Sequence, residues 1–434
     1  MRFSARLIPA LLTAGLIFSS TTAFASTREE AQRRQFSGLI EFLENRIREG
    51  STEEIETAVR ALQTNPIPRK AREPLTDGLE TLAIRHHLDE ILKSLRELPD
   101  PVAAPAGPAR PFDFPRDHGS HRGSFSEWWY FNGNLEAGDR EFGYELTFFR
   151  TAIRVNFVHT AVTDLGASRH PFERKYTRSG ACVIDEDVLN IEFGKHKARV
   201  DVDGSFRIQF EADGSVVDLT LVPERGPMIV NGDGVIDMPE GTSSRYYSFT
   251  KLVAKGTIRT PEGEILEVKG ASWFDHQWGN FVSFFRPWDW FSFQMEDGTE
   301  YNLFHFRDAL GFSGRTCINK LSPAAELEMS RKMTLSRDVW WKSPRSGDWF
   351  VTKWTLELPD LGERFVVSTP QEDQEMPRVG WWDVAPAYWE GTISIVRTDR
   401  DGKLIKGIGY AEHFPYSRPR FPLPGALQLG GAHN

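Results

Sequence analysis

Short runs of aromatic and β-branched residues, separated by turn pairs, fill the sequence from Trp128 to Tyr416. The turn pairs end in glycine and include Asp213-Gly214, Glu262-Gly263, Asp297-Gly298 and Asp401-Gly402. Pairs of this kind close hairpins, and many short strands are typical of β sandwiches and β barrels. No helical segment long enough to cross a sheet interrupts this region, which disfavours a parallel α/β fold. The sequence therefore predicts a mainly β protein.

The N-terminal part of the chain has the periodicity of helices instead. Residues 26–98 are predicted to form an α-helical extension, with a capping box from Thr27 to Glu30 and a first helix that ends at Gly50. A second helix begins at Ser51 and breaks before Pro66, and a third covers residues 74–95. Because their apolar stripes must be buried, we expect the extension to pack against the body or to form a homodimer; a functional lid is the alternative.

Two further segments differ in composition from these folded parts. Residues 1–25 carry Arg2, Arg6, an apolar stretch and an Ala23-Phe24-Ala25 pattern, so they are interpreted as a cleaved signal peptide. No later stretch reaches the roughly 20 apolar residues of a membrane-spanning helix, and the expected product is secreted or periplasmic. Residues 99–115 are rich in proline and alanine, which indicates a stiff linker.

Charge and cysteine content exclude two classes of protein. The chain has 52 basic and 61 acidic residues, and removal of the leader makes it more acidic, so no nucleic-acid partner is expected. Cys182 and Cys317 are its two cysteines, which excludes a disulfide framework. They are interpreted as separate buried thiols, or as one long-range bridge in an oxidising compartment.

Two tryptophan-rich segments concentrate polar aromatic chemistry. They run from Glu127 to Phe131 and from Ser272 to Gly279, the second containing Asp275-His276-Gln277-Trp278. Indole, imidazole and carboxyl groups are costly to bury unless their polar atoms find partners. Each segment is therefore either a fixed structural corner or the lining of a pocket.

The alternation of side chains between strand faces, counted from the Asp297-Gly298 turn, predicts the arrangement of one hairpin. A two-residue turn would place one set of side chains on a mixed polar and aromatic face, namely Trp290, Ser292, Gln294, Tyr301, Leu303 and His305. It would place an apolar set on the other face, namely Phe291, Phe293, Met295, Phe304 and Phe306. The mixed face predicts a ligand cavity inside a barrel or, alternatively, a contact between domains.

Several multi-residue motifs, in order, resemble the AttH and carotenoid 1,2-hydratase family, whose members are often labelled predicted secreted hydrolases. The resemblance covers residues 112–416 and is carried by these segments: Phe114 to Gly119, Glu127 to Leu135, Phe142 to Arg150, Ser272 to Gly279, Trp288 to Phe291, Tyr388 to Gly391 and Gly409 to Glu412. It implies two consecutive lipocalin-like antiparallel β-barrel domains, at residues 116–280 and 281–420, with a tail at 421–434.

The resemblance also implies chemistry on a lipophilic molecule. Hydratases of this family add water to a terminal carbon–carbon double bond of a carotenoid or prenyl-type chain, without a cofactor. Their catalytic histidine and tryptophan correspond to His276 and Trp278, and Tyr301 is a match for their tyrosine. Leu303 occupies the position where the family pattern places an aspartate.

Hydration of an alkene requires an acid, apolar walls and electron-rich faces for a tertiary cation. Asp275 and Glu127 are the predicted acids, because a carboxyl group desolvated beside indoles has a raised pKa, and His276 is expected to position water. The alternative is that Asp275 caps a turn and Glu127 binds backbone amides. The predicted ligand-binding side chains are Trp129, Trp278, Trp288, Trp290, Gln294 and His305.

Other catalytic signatures do not support a different chemistry. The sequence has no G-x-S-x-G nucleophile motif, so it gives no support for a serine hydrolase despite the hydrolase label of the family. His118 and His121 have H-x-x-H spacing, but no third ligand lies near them in sequence, and no metal is predicted.

Three functions remain. The first is a cofactor-independent hydratase, lyase or isomerase acting on a lipophilic substrate, and it is the preferred hypothesis. The second is a carrier of an apolar ligand, associated with an envelope transport system, and the third is a structural module that dimerises through the helices. An enzyme requires a carboxyl group and His276 to converge on one apolar cavity, whereas a carrier does not.

Overall fold

The computed structural model describes residues 40–64, 69–98, 110–152, 155–178, 182–237, 243–281, 287–307, 314–379 and 385–416. The predicted signal peptide, the capping box at Thr27, residues 99–109 of the linker and the tail lie outside the described residues. Among the described residues, no helix combines the length and the apolar composition needed to cross a membrane.

The extension contains four described helical segments, one more than predicted. They are α1 at residues 40–48, α2 at Glu53–Thr64, α3 at Arg69–Arg85 and α4 at Asp89–Arg96. Gly50 follows α1 with φ of 84°, a conformation that glycine adopts at low cost. The predicted third helix is divided because His87 adopts φ of 53°, and Leu88 lies between α3 and α4.

The helices bury their apolar stripes against one another and against the β region. Ile55, Leu79 and Leu82 are fully buried and share one cluster with Phe125 and Phe157. The extension therefore packs within its own chain, as one of the alternatives predicted. Its role as a dimerising element stays a prediction.

The first sheet follows the extension and curls into a near-barrel. Its strands are β1 Ser126–Ala137, β2 Arg140–Thr151, β3 Val155–Asp164, β4 Phe172–Arg178, β5 Cys182–Ile184, β6 Asn190–Phe193, β7 His196–Val200, β8 Phe206–Ala212, β9 Ser215–Pro223, β10 Met228–Ile229, β11 Val235–Asp237, β12 Ser243–Arg259 and β13 Ile265–Gly279. Their order is β4-β3-β2-β1-β13-β12-β9-β8-β7-β6-β5, with β10 and β11 also paired to β12. The two tryptophan-rich segments thus lie side by side on β1 and β13.

The second sheet forms a half-barrel. Its strands are β14 Trp288–Met295, β15 Glu300–Arg307, β16 Gly314–Leu321, β17 Leu327–Ser330, β18 Thr334–Lys342, β19 Trp349–Leu358, β20 Glu363–Ser368, β21 Glu375–Met376, β22 Tyr388–Thr398 and β23 Leu404–His413. Their order is β17-β16-β15-β14-β23-β22-β20-β19-β18, with β21 paired to β22. The predicted mainly β fold, with consecutive antiparallel sheets after helices, is confirmed.

The predicted register of the β14–β15 hairpin is wrong by one residue. Phe293 lies opposite Tyr301, and the Met295 amide donates to the Thr299 carbonyl at 2.9 Å. The loop therefore has three residues, and Gly298 adopts φ of 81° at its end. As a consequence, Tyr301, Leu303 and His305 share the face of Phe291 and Phe293, while Phe304 and Phe306 share the face of Trp290.

The two sheets pack face to face along a buried layer, here called the seam. Its aromatic side chains come from both sheets and are Tyr130, Tyr246, Trp273, Trp290, Phe304, Phe306 and Tyr410. Gln294 Nε2 donates to the Ser272 carbonyl at 3.0 Å across it, and His159 Nδ1 lies 2.7 Å from the Tyr388 hydroxyl. Cys182 and Cys317 are free thiols, so the alternative of a disulfide is wrong.

Candidate functional site

The polar and aromatic side chains of strand β13 lie on its two opposite faces. Successive side chains of a strand point to opposite faces, so His276 and Trp278 lie inside the first sheet while Asp275 and Trp273 face the seam. Asp275 and His276 are both fully buried but contact different groups. Of the two predicted acids, Asp275 therefore does not share a face with His276.

Inside the first sheet, three side chains form what is here called the histidine–glutamate cluster: His121, Glu127 and His276. The Glu127 Oε1 atom lies 2.8 Å from His121 Nδ1 and 3.1 Å from His276 Nε2. The Ser120 hydroxyl donates to Glu127 Oε2 at 3.1 Å, and Arg150 Nη1 lies 3.5 Å from the same oxygen. This carboxylate is satisfied on both oxygens.

Two neighbouring segments and one distant strand bring the cluster together. Glu127 lies on β1 and His276 on β13, and these two strands are paired. His121 follows a short 3₁₀ turn at Arg116–His118, which is fixed because Trp129 Nε1 donates to the His118 carbonyl at 2.9 Å. The His121 ring stacks on Trp278, with centroids 3.7 Å apart.

The electrostatics of the cluster make Glu127 a base or a ligand. Burial opposes ionisation of Glu127, but hydrogen bonds from His121 and His276 outweigh it and lower its pKa to about 2. Burial lowers the pKa of His276 despite the nearby carboxylate. The expectation that Glu127 stays protonated is therefore wrong, because imidazoles rather than indoles surround its oxygens.

Asp275 occupies the environment that the sequence analysis expected for an acid. Trp273 Nε1 donates to its Oδ1 at 2.6 Å, and the Tyr246 hydroxyl donates to its Oδ2. Burial raises the pKa of Asp275 to about 7, although hydrogen bonds from Ser248, Tyr246 and Trp273 act in the opposite direction. A substantial fraction of this carboxyl group is protonated at neutral pH.

The seam contains three more acids that were not predicted from the sequence. They are Glu145, Glu390 and Glu412, here called the seam glutamates. Glu145 and Glu390 are fully buried, at 0% and 1% exposure, and Glu412 is partly buried. Desolvation raises the pKa of Glu145 and of Glu412 to about 8, and desolvation together with Glu145 and Glu412 raises that of Glu390 well above its ordinary value. All three lie in motifs that carried the family resemblance, but their burial depends on a partner sheet distant in sequence.

Aromatic groups surround these acids. The Tyr130 and Trp290 rings meet edge to face with centroids 5.3 Å apart, and Trp273 and Trp290 do so at 6.2 Å. Trp290 Nε1 and Glu145 Oε1 are buried without a hydrogen-bond partner. The seam thus combines protonated carboxyl groups, electron-rich faces and unused hydrogen-bonding atoms.

Comparisons with known proteins agree with this architecture. A family model described as AttH-like matches residues 105–416. The chain belongs to the AttH-like family. A crystal structure of an AttH protein from Nitrosomonas europaea has a TM-score of 0.66 and 24% identity, and the match covers 73% of this chain and 100% of that one.

A second solved structure, of kievitone hydratase from Nectria haematococca, has a TM-score of 0.60 and 16% identity, with 70% of this chain and 93% of that one covered. At these identities, both structures establish the fold that the AttH-like chain shares with them. A comparison with curated proteins finds no match.

The remaining predicted site residues of this AttH-like chain are divided between the two faces. Tyr301 lies in the core of the second sheet, where its hydroxyl donates to Glu363 Oε2 at 2.9 Å. His305 Nδ1 lies 3.0 Å from Asp289 Oδ2, away from the seam. The hairpin register turns both away from the seam, and His276 lies inside the first sheet, so neither joins it. Trp129 lies inside the first sheet, Trp290 and Gln294 face the seam, and Trp288 packs beside Phe414.

Proposed function

We propose that this AttH-like protein is an exported, hydratase-type enzyme that adds water to, or removes it from, a lipophilic substrate in the seam. One observation carries the proposal: Asp275 and the seam glutamates meet in one buried layer lined by indole and phenol rings. Buried carboxyl groups that stay protonated are proton donors, and such groups cluster at catalytic sites.

The reaction needs a proton donor of this kind. A carboxyl group of the seam transfers its proton to one alkene carbon, and the π electrons form the new C–H bond. The adjacent tertiary cation lies against the faces of Trp273, Trp290 or Tyr130 until a water oxygen attacks it. The water then returns a proton to the carboxylate, so that alkene and water become an alcohol with no change in the acid. Dehydration is the reverse sequence.

The lipophilic nature of the substrate is inferred from the lining of the seam, and export is inferred from the leader-like sequence of residues 1–25. The similarity in fold to a kievitone hydratase supports water addition as the reaction type. Because the seam groups are buried, substrate entry requires local separation of the two sheets.

The first experiment identifies the ligand. Native mass spectrometry of the protein purified from its own host is expected to show a co-purifying polyene, prenyl compound or lipid. Incubation of that compound in isotopically labelled water then measures incorporation of one oxygen atom per turnover.

Isosteric substitutions test the acids. Asp275→Asn and Glu390→Gln each remove a proton donor while keeping the shape of the side chain, so we expect turnover to fall by about 10²- to 10⁴-fold with ligand binding nearly unchanged. Asp218→Asn is the matched control, since Asp218 is exposed on β9 of the same sheet. Unchanged turnover in both seam variants would remove the proposed acids, and binding without any oxygen incorporation would favour a carrier of an envelope transport system.

A further inference from the structure

We propose that the histidine–glutamate cluster binds one first-row divalent transition metal ion, of which zinc is the representative. Its ligands are His121 Nδ1, His276 Nε2 and a carboxylate oxygen of Glu127, and these atoms all lie within 4.8 Å of one another. Zinc bonds of about 2.0–2.2 Å place tetrahedral ligand atoms about 3.3 Å apart, so the side chains need only small shifts. Two imidazoles and a carboxylate suit zinc and its neighbours better than magnesium or calcium.

A single residue, Asp117, supports both imidazoles from behind. Asp117 Oδ1 lies 3.1 Å from His121 Nε2, and the Asp117 carbonyl oxygen lies 2.9 Å from His276 Nδ1. A histidine that binds a metal commonly donates its other N–H to a carboxylate or a backbone carbonyl. One residue therefore orients both rings so that their remaining nitrogens face Glu127.

The contacts of His276 leave one of its two nitrogens for the cluster. Its Nδ1 lies 2.9 Å from the Asp117 carbonyl oxygen and 3.1 Å from the Tyr247 hydroxyl. Its Nε2 lies 3.1 Å from Glu127 Oε1 and is therefore the nitrogen that would bind the ion.

Charge and access are compatible with such an ion. The Glu127 and Asp117 carboxylates lie next to the two imidazoles and offset part of the charge of a dication, although Arg150 and Arg110 pair with them. Two neutral imidazoles and a shared carboxylate then hold the dication, as in catalytic zinc sites with neutral ligands. The His121 side chain is 11% exposed, which gives the ion a path from solvent.

The ion would join strand β13 to strand β1 and the stretch that precedes it, which are distant from β13 in sequence. Since the cluster lies on the inner face of the first sheet and the seam on the other, metal binding stands apart from the proposed reaction. Its expected effect is stabilisation of the folded chain by ligand binding.

Metal analysis of the untagged full chain tests the proposal directly. Mass-spectrometric elemental analysis is expected to find close to one zinc per chain, or to find it after the chelator-treated protein is titrated with Zn²⁺. Added Zn²⁺ should raise the thermal unfolding midpoint, and Co²⁺ should give the visible absorption bands of a low-coordinate site. Failure of Zn²⁺ to bind at a one-to-one ratio, with no change in the unfolding midpoint, would overturn the proposal.

Matched glutamine variants locate the ion. His121→Gln and His276→Gln should each reduce Zn²⁺ affinity by 10-fold or more, in the range of about 10- to 100-fold seen even for supporting residues. His118→Gln is the control. His118 lies near His121 in sequence, but its Nδ1 contacts the Tyr247 hydroxyl at 2.6 Å and not the cluster. Equal Zn²⁺ binding in all three variants would place the ion elsewhere and contradict the assignment.

Discussion

At the scale of single residues, the environment of a side chain decides its chemistry more than its type does. Glu127 and Glu390 are both fully buried glutamates, yet the pKa of Glu127 falls to about 2 and that of Glu390 rises. Glu127 accepts from two imidazoles and a backbone amide, whereas Glu390 faces other carboxyl groups. The surroundings therefore favour the anion for Glu127 and the protonated form for Glu390.

Gly133, within one of the family motifs, shows a second residue-scale constraint. A Cβ atom there would lie 2.6 Å from Ser272 Oγ and 2.8 Å from the Tyr144 ring. We expect Gly133→Ala to lower the free energy of unfolding by about 1–3 kcal/mol through overpacking, measured by denaturant titration. Gly123→Ala is the control, since no atom lies within 4 Å of its added Cβ. Equal stability of the two variants would disprove the constraint.

At the scale of elements, turn chemistry predicted where strands end but not how they pair. Asp213-Gly214 closes a two-residue turn, with both residues at positive φ and Ala212 opposite Ser215. Asp297-Gly298 looks identical in sequence but closes a three-residue loop. The difference shifts the register by one residue and moves Tyr301 out of the seam, because strand faces alternate with a period of two.

The sequence also did not predict which strands and turns come together to form the histidine–glutamate cluster. The strand pairing of Glu127 with β13 joins positions far apart in the chain, and the His121 turn packs on both strands. An H-x-x-H pattern alone directed attention to His118 and His121, but His118 contacts Tyr247 instead. Glu127 and His276, the other two members of the cluster, are brought to His121 by the tertiary structure.

The helical extension provides the element-scale prediction. Leu79 in α3 is fully buried, whereas Ile84 in the same helix is 58% exposed. We expect Leu79→Ala to lower the free energy of unfolding by about 2–5 kcal/mol because it leaves a cavity. Ile84→Ala is expected to change it by less than about 0.5 kcal/mol. Denaturant unfolding followed by circular dichroism measures both, and similar losses would show that the helices do not pack as described.

At the scale of the whole molecule, the two sheets meet very closely. A Cβ atom at Gly143 would lie 3.2 Å from the Tyr410 hydroxyl, and Asn134 Nδ2 donates to the Gly409 carbonyl at 3.3 Å across the contact. These glycines lie in segments that carried the family resemblance. Their role is to let the sheets approach, which buries the seam glutamates.

Burial of the seam glutamates predicts how stability depends on pH. Their folded-state pKa values lie above the ordinary value of 4.5, at about 8 for Glu145 and Glu412. The folded state therefore binds more protons than the unfolded state between these values, and this stabilisation is lost as the pH rises through about 8. Buried histidines with lowered pKa, such as His118 and His413 at about 3, oppose this only below about 6.5, their ordinary value.

We expect the free energy of unfolding to decrease as the pH rises from about 6.5 to about 8.5. Denaturant titration at several pH values measures this decrease. Glu390→Gln should flatten the decrease, because it removes one of the titrating groups whose pKa burial raises. A free energy of unfolding that rises across this range would show that the seam glutamates are ionised in the folded protein.

The alternation of β13 has an evolutionary consequence. Adjacent residues of this segment face two different environments, the interior of the first sheet for His276 and Trp278 and the seam for Trp273 and Asp275, so we expect them to be constrained independently. If one of the two faces loses its function in a branch of the family, we expect substitutions at every second position of β13 and retention of the residues between them. Descent within the family is thus better traced with the two half-signatures scored independently.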